Sequence, residues 1–267
     1  MSDWRSYDGV AETYERIHAP RLAEPAHDLI GAADPTPGTR LLDVGTGTGI
    51  AAAAAAAALG GPGNVVGIDG SVGMLAAGRR ARPEIRTVAA QVIDLPFRDG
   101  AFDTVVGNFV LAHFTKYQTA LYELLRVLRP NGRLALNAWS DGPDELSKAW
   151  LEQVWTIVPR PVLEAAIGDA IPWRDRFRQR EALEETFMDA GLRHIQVEQC
   201  QYRFRYPLEE YVEGLGTWAT GRFVRSMLGE RGFESFLARV LEAFGARFPD
   251  PVLDFRDVLI AVGTKPY

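Results

Sequence analysis

Residues 41–49 read LLDVGTGTG, a short apolar run that leads into three alternating glycines and then into an alanine-rich segment. The pattern predicts a buried strand, a tight loop and a helix. Alternating glycines let a backbone turn sharply and approach a ligand closely, beside the free amides of a helix N-terminus. The stretch therefore predicts a strand-loop-helix unit that binds a nucleotide-like cofactor.

After this stretch the pattern alternates between helical segments and short apolar runs. The runs NVVGID, TVAAQV and DTVVGN predict strands, and they are separated by helical stretches. A helix at 119–128, the turn PNG at 130–132 and a strand at 133–138 follow. Such alternation is typical of βαβ units in a parallel sheet, which indicates a doubly wound α/β core.

Beyond residue 139 helical periodicity interrupted by prolines predicts helical caps, and core-like strands return near 195–206 and 257–265. We predict one structural domain built from six segments. They are an N-terminal helical cap (1–38), a cofactor-binding core (39–139), a first cap insertion (140–179), a core helix and strand (180–206), a second cap insertion (207–253) and a last core strand (254–267).

Composition and charge exclude several classes of protein. The chain has 267 residues and a formal net charge of −6, which argues against a nucleic-acid partner because such domains carry a basic patch. The single cysteine, Cys200, excludes an intrachain disulfide framework, and the start MSDWRSYDGV lacks the apolar segment of a signal peptide. The apolar run 50–59 is too short to span a bilayer. We expect a cytoplasmic protein without a membrane span.

Two acidic residues at strand ends bear on the kind of cofactor. Gly47-x-Gly49-x-x-Ala52 also satisfies the dinucleotide fingerprint, so glycine spacing leaves an NAD(P)-dependent oxidoreductase open. Asp43, just before the glycines, suits a cationic cofactor and would repel a pyrophosphate. Asp69 ends the next predicted strand, where a carboxylate can accept hydrogen bonds from ribose hydroxyls. These positions favour a cofactor that combines an adenosine with a positive charge.

Four blocks along the chain carry a family resemblance. LLDVGTGTG, GIDGSVGML, QVIDLPFRDGAFD and ELLRVLRPNGRLAL resemble, in order and spacing, the motifs of class I S-adenosylmethionine-dependent methyltransferases. Within that family they most resemble a small-molecule group that includes quinone-biosynthesis and natural-product enzymes. The resemblance covers residues 7–138. It implies a Rossmann-like, mostly parallel sheet with an antiparallel last strand and helical cap insertions.

The resemblance also implies S-adenosylmethionine as cofactor and S-adenosylhomocysteine as product. By position, the backbone of Gly45 and Gly47 holds the methionine portion, Asp43 orients it and Asp69 binds the ribose. Met74 is similar to the apolar residue that packs on adenine. The full set of implied cofactor contacts is Tyr14, Asp43, Gly45, Thr46, Gly47, Asp69, Gly70, Met74, Gln91, Val92 and Asn108.

Four of these positions have implied contacts of their own. Gln91 stands where the family usually has Asp, although its side-chain carbonyl can still accept from the adenine amino group, and the backbone of Val92 meets the ring. Asn108 ends the fourth predicted strand, near the transferable methyl. Tyr14 resembles an aromatic residue that closes over the cofactor in relatives.

Two residues are implied at the acceptor. His113 is the candidate general base, with an ordinary imidazole pKa near 6.5, and Trp139 follows the fifth predicted strand and lines the acceptor pocket. No Cys or His cluster has metal-ligand spacing, so no metal is expected. We expect methyl transfer to oxygen, nitrogen or carbon of a small hydrophobic or aromatic acceptor. A non-catalytic binding module of the same fold remains an alternative.

Overall fold

The computed structural model describes residues 5–140 and 144–267, so residues 1–4 and 141–143 of the two predicted caps lie outside the described residues. One seven-stranded sheet runs through these ranges. Its strands are β1 (Leu41–Val44), β2 (Val65–Asp69), β3 (Arg86–Ala89), β4 (Phe102–Gly107), β5 (Leu128–Trp139), β6 (Arg193–Tyr206) and β7 (Val252–Thr264). The helices are α1 (Ala11–Ile17), α2 (Ala19–Ala33), α3 (Ile50–Ala58), α4 (Val72–Ala81), α5 (Tyr117–Val127), α6 (Glu145–Val154), α7 (Arg160–Ala170), α8 (Arg180–Asp189), α9 (Leu208–Leu215) and α10 (Ala219–Gly245).

The order of strands across the sheet is β3-β2-β1-β4-β5-β7-β6. The five strands β3, β2, β1, β4 and β5 pair in parallel with their neighbours in the sheet, whereas β7 runs antiparallel to both β5 and β6. The chain winds outward from β1 to β3 and then returns to place β4 beside β1. Ligands of open α/β sheets bind where the winding reverses, beyond the carboxyl ends of these strands. The predicted doubly wound sheet with an antiparallel last strand is confirmed.

Strand β1 is buried on both faces, as expected for a central parallel strand. Leu41 belongs to an apolar cluster shared with α2 and α3, and this cluster extends to Trp150 of α6 and Phe236 of α10. Leu42 points to the other face, into a cluster shared with α5 and α8. The cap helices therefore continue the apolar core on the α2 and α3 face of the sheet.

The structure differs from the sequence prediction at two strand starts. The PNG turn lies inside β5, because a register shift between Phe102 and Thr104 of β4 accommodates the extra residues, and Asn131 has a φ of +59°. Strand β7 begins at Val252 and pairs with Tyr206, so the hairpin it forms with β6 extends into the segment predicted as the second cap insertion. Long-range pairing extends both strands beyond their local apolar pattern.

No helix within residues 5–140 and 144–267 is both long enough and apolar enough to cross a membrane. Those ranges also hold no group of three or more His, Cys, Asp or Glu side chains placed to hold a metal ion.

Candidate active site

The loop after β1 has no room for a side chain at two of its glycines, Gly45 and Gly47. Gly45 and Gly47 have φ values of +66° and +56°, in the left-handed region that favours glycine. A Cβ on Gly45 would lie 2.2 Å from Cγ2 of Val110, and one on Gly47 would lie 3.1 Å from Cε of Met74. The loop is therefore held tightly between β4 and α4, with its backbone exposed to the space above the sheet.

Asp43 lies behind this loop and is fully buried. Its Oδ2 accepts hydrogen bonds from the Thr46 hydroxyl at 2.6 Å and the Ala52 amide at 3.0 Å, which fixes the loop to the start of α3. Its Oδ1 has no hydrogen-bond partner in the described residues. Burial raises the pKa of the Asp43 carboxyl to about 7, against the lowering effect of the two hydrogen bonds. The site thus contains a buried acceptor atom that lacks a donor.

Asp69 connects the end of β2 to the glycine loop. Its Oδ2 accepts from the Gly47 amide at 2.9 Å, and its Oδ1 accepts from the Ser71 amide at 2.7 Å. Burial raises the pKa of the Asp69 carboxyl, although the two amides act in the opposite direction. Each carboxylate oxygen can accept more than one hydrogen bond, so Asp69 retains acceptor capacity toward the cavity.

The segment before α1 closes one side of this space. Oδ1 of Asp8 accepts from the Ser71 hydroxyl at 2.6 Å and from the Gly73 amide at 2.7 Å, which anchors the segment to the N-terminus of α4. Tyr14 contacts the edge of Tyr7 at a centroid distance of 6.0 Å and packs with it around Met74. The predicted aromatic cover is therefore next to the predicted adenine contact.

A polar bridge joins the ends of β4 and β5. Nδ2 of Asn137 donates to Oδ1 of Asn108 at 2.8 Å, while the side-chain oxygen Oδ1 of Asn137 accepts from the backbone amide of Phe109 at 2.6 Å. Phe109 has a φ of +57°, which is rare for a residue with a side chain. Its ring stacks on Trp139 at a centroid distance of 3.9 Å and an angle of 11°. The bridge therefore holds Asn108 beside a stacked aromatic pair.

His113 ends a short 3₁₀ turn after β4 and faces Tyr7 at a ring distance of 6.0 Å. Burial, and to a smaller extent the positive charge of Arg222, lower the pKa of its imidazole to about 4. Arg222 is itself buried and stacks on the ring of Tyr7 at 3.9 Å. The pKa differs from the ordinary value expected from sequence chiefly because the packed structure buries the imidazole, and also because α10 brings a cation close to it. His113 is neutral at physiological pH.

Most of these groups line one cavity of about 1190 Å³. Every predicted site residue except Asp43 lines it, and Asp43 lies directly behind its wall. The lining predicted residues are Tyr14, Gly45, Thr46, Gly47, Asp69, Gly70, Met74, Gln91, Val92, Asn108, His113 and Trp139. Gly70 and Gln91 are neighbours, since a Cβ on Gly70 would lie 3.0 Å from Nε2 of Gln91.

Comparison with known proteins supplies the family. Residues 42–136 match the model described as "Methyltransferase domain". A demethylmenaquinone methyltransferase of Staphylococcus saprophyticus is 30% identical over 170 residues, which cover 60% of this chain and 72% of that protein. The chain belongs to the class I S-adenosylmethionine-dependent methyltransferases. The resemblance noted in the sequence is confirmed, and S-adenosylmethionine rather than NAD is the cofactor of this family.

Two further comparisons define the extent of the similarity. The demethylmenaquinone methyltransferase of Beutenbergia cavernae is 44% identical over 80 residues, which are 30% of this chain, and the match spans only 33% of that relative's length. The YcgJ protein of Bacillus subtilis has a solved structure that aligns with a TM-score of 0.58 and 19% identity. That alignment covers 91% of this chain and 99% of the YcgJ chain, so it shows a shared fold.

The residues present fit the family's cofactor. The glycine backbone leaves a cradle that a Cβ would narrow, and Met74 and Tyr14 provide apolar surface beside Asp69. The pKa of both Asp43 and Asp69 is raised chiefly by burial, so these carboxyls lack the stabilisation that a nearby cation would supply. A positively charged ligand with an adenosine portion would satisfy both features.

Three contributors to the site were not predicted from the sequence. Asn137 is a lone polar residue in an apolar strand and is only 1% exposed, a pattern that could have marked it. Asp8 lies ahead of the first helix and has no local signature. Phe109 was visible only as part of the run Asn-Phe-Val-Leu, because its positive φ and its stacking on Trp139 depend on the tertiary fold.

Proposed function

We propose that this chain transfers the methyl group of S-adenosylmethionine to a small aromatic acceptor of the hydroquinone class. One observation carries the proposal: the cavity that contains the glycine loop and Asp69 continues past Asn108 to the stacked rings of Phe109 and Trp139. A cofactor cradle and an aromatic wall in one enclosure suit transfer between a nucleoside-type donor and a flat acceptor. The names of the matched relatives, demethylmenaquinone methyltransferases, support this acceptor class.

The chemistry of the bound cofactor is the supply of an electrophilic methyl on a positively charged sulfur. The residues of the chain then hold the reactants in line and exclude water, and alignment of this kind can contribute roughly 7–11 kcal/mol. The glycine loop and Asp69 hold the donor. Asn108, fixed by Asn137, positions the acceptor next to it. The two-electron-reduced hydroquinone is the more nucleophilic form of such a ring and is the form that would accept a methyl cation.

His113 is the proposed proton acceptor. With a pKa of about 4 its imidazole is neutral at physiological pH and can accept a hydrogen bond from an acceptor hydroxyl. The same low pKa means that the imidazolium is poorly stabilised beside Arg222. A proton that leaves the acceptor is therefore held only weakly by His113 and is released again after the transfer.

The direct test uses the purified chain with S-adenosylmethionine labelled in its methyl group. The acceptors are 1,4-dihydroxynaphthalene under a reductant, catechol and putrescine, and NAD is tested for binding in parallel. We expect label on the dihydroxynaphthalene, little or none on putrescine, and no stabilisation by NAD. Tight binding of S-adenosylhomocysteine without label on any acceptor would support the non-catalytic alternative instead.

A further inference from the structure

The inward face of β7 carries two charged side chains, Asp254 and Arg256, on the same face as buried apolar residues of the strand. Val258 on this face is buried in the apolar cluster beneath the cap helices, and Asp254 and Arg256 precede it at the same two-residue period. On the outward face Leu253 and Phe255 are 44% and 51% exposed. Over this stretch the strand therefore buries charged side chains and exposes apolar ones, the reverse of an ordinary amphipathic strand.

The buried pair retains unused hydrogen-bonding capacity. Nε of Arg256 lies 2.7 Å from Oδ1 of Asp254, and its Nη2 lies 3.2 Å from both Oδ2 of Asp144 and the hydroxyl of Ser147. Within the described ranges Nη1 of Arg256 makes no hydrogen bond. The contact with Asp254 is a close ion pair, and Oδ1 of Asp254 is buried against the guanidinium. The remaining donor capacity belongs to Nη1 of Arg256, and the remaining acceptor capacity belongs to the second carboxyl oxygen of Asp254, whose side chain lines the cavity.

Both side chains line the same cavity as the active site. Trp139 pairs with Val258, so Arg256 lies two residues further along β7, a distance of about 7 Å. Phe204 pairs with Asp254, and its ring meets Trp139 edge-on at 6.4 Å. The charged pair therefore lies at the end of a part of the cavity that is lined by aromatic rings. Its distance from Trp139 is roughly the length of one fused bicyclic ring.

The charges of the cluster define the ligand chemistry. Two carboxyls, Asp254 and Asp144, face one guanidinium, so the cluster has no excess positive charge for an anion. Burial raises the pKa of Asp254 to about 7; Arg256 opposes this rise and Asp144 adds to it. Near neutral pH the Asp254 carboxyl can therefore accept from a hydroxyl or, when protonated, donate to a carbonyl.

We propose that Arg256 and Asp254 anchor a neutral oxygen substituent, a hydroxyl or carbonyl, on the end of the acceptor opposite to the methylated atom. The inference rests on the proposed function, which places the acceptor ring against Trp139. A buried polar pair at the end of an apolar cavity selects strongly for ligands that satisfy it, because a ligand without the oxygen leaves the pair unpaired. The pair thus determines acceptor specificity and takes no part in the transfer itself.

The test measures binding of two matched probes, 2,6-dihydroxynaphthalene and 2-naphthol, in the presence of saturating S-adenosylhomocysteine. By calorimetry we expect the diol to bind about tenfold or more tightly than 2-naphthol. Arg256→Gln and the nearly isosteric Asp254→Asn should remove this preference. Arg203→Gln, which removes an exposed charge from the outward face of the same hairpin, should retain it. Melting temperature and S-adenosylhomocysteine affinity confirm that each variant is folded.

The outcomes separate this inference from the function on which it rests. Equal affinity of the unaltered chain for the two probes would overturn the anchor and leave the aromatic acceptor in place. An unchanged preference in folded Asp254→Asn and Arg256→Gln would also overturn it. Failure of the unaltered chain to bind either naphthol would overturn both the aromatic acceptor and the anchor.

Discussion

The amide of Gly47 donates to Oδ2 of Asp69 at 2.9 Å, which links the loop after β1 directly to the end of β2. The two motifs that the sequence presents 22 residues apart are therefore one structural unit. Oδ1 of the same carboxylate accepts from Ser71, at the start of α4. Asp69 both shapes the glycine loop and faces the cavity, so we expect its removal to affect cofactor binding in two ways.

Replacement of Asp69 by Ala should weaken cofactor binding. The change removes charge-assisted hydrogen bonds worth roughly 1.5–3 kcal/mol, which corresponds to a loss of about tenfold to a hundredfold in affinity for S-adenosylhomocysteine. Calorimetric titration of the folded variant measures it. Asp94→Ala, an exposed carboxylate on the following loop, is the matched control. Equal affinities of the two variants would return Asp69 to the role of a turn residue.

Replacement of Gly45 by Ala should destabilise the fold. The substitution forces a side chain into a φ of +66° and places its Cβ 2.2 Å from Val110. We expect a loss of roughly 2–5 kcal/mol in the free energy of unfolding, the sum of backbone strain and overpacking. Gly60→Ala has a similar φ of +74° but nothing within 4 Å of the new Cβ. If urea unfolding gives both variants the same loss, contact with Val110 is not the cause.

Replacement of Asn137 by Ala should leave the Phe109 amide without its acceptor and Asn108 without its donor. An unsatisfied buried group of this kind costs about 1–3 kcal/mol in the free energy of unfolding. The release of Phe109 should also weaken binding of 2-naphthol, because the stacked wall with Trp139 is no longer fixed. Asn64→Ala, at an exposed position, is the control. Loss of stability without any change in naphthol affinity would limit Asn137 to a structural role.

Replacement of His113 by Gln should alter how stability depends on pH. Because the folded-state pKa of about 4 is below the ordinary 6.5, the unfolded chain binds the extra proton between these values. The stability of the unaltered chain should therefore fall relative to the variant as pH drops from 6.5 to 4. The shift corresponds to roughly 3 kcal/mol at ~1.4 kcal/mol per pKa unit. Urea unfolding across this range measures the difference.

The control and the kinetic readout for His113 use the same preparations. His27→Gln replaces an exposed imidazole on α2. A pH dependence shared by both variants would contradict the low pKa of His113. If His113 also serves as proton acceptor, the single-turnover rate at saturating substrate should fall by about 10²- to 10⁴-fold in the variant. Its acidic limb in the unaltered chain should lie near pH 4, and an intact rate in a folded variant would remove His113 from the catalytic residues.

The placement of the proposed cofactor residues around one cavity could largely be predicted from the sequence. The glycine loop, Asp43 and Asp69 sit at strand ends, and a doubly wound sheet brings strand ends together at one edge. Asn108 could be predicted for the same reason, because it also follows a strand end. The residues of the proposed acceptor pocket could not be predicted in the same way. Asn137, Phe204 and the Asp254–Arg256 pair share no sequence motif, and they come together only through the pairing of β5, β6 and β7.

By itself, the sequence determined the strand-loop-helix unit of residues 41–49 and most of the order of strands and helices, because apolar periodicity and glycine spacing are local patterns. The kind of cofactor followed from the resemblance of four motif blocks spread over residues 7–138. Only the tertiary structure decided the protonation state of His113, since Arg222 is 109 residues away in the chain and desolvation requires the complete cavity. It also decided that β7 turns Asp254 and Arg256 inward. Burial and the electrostatic environment are properties of the packed molecule, and no local pattern encodes them.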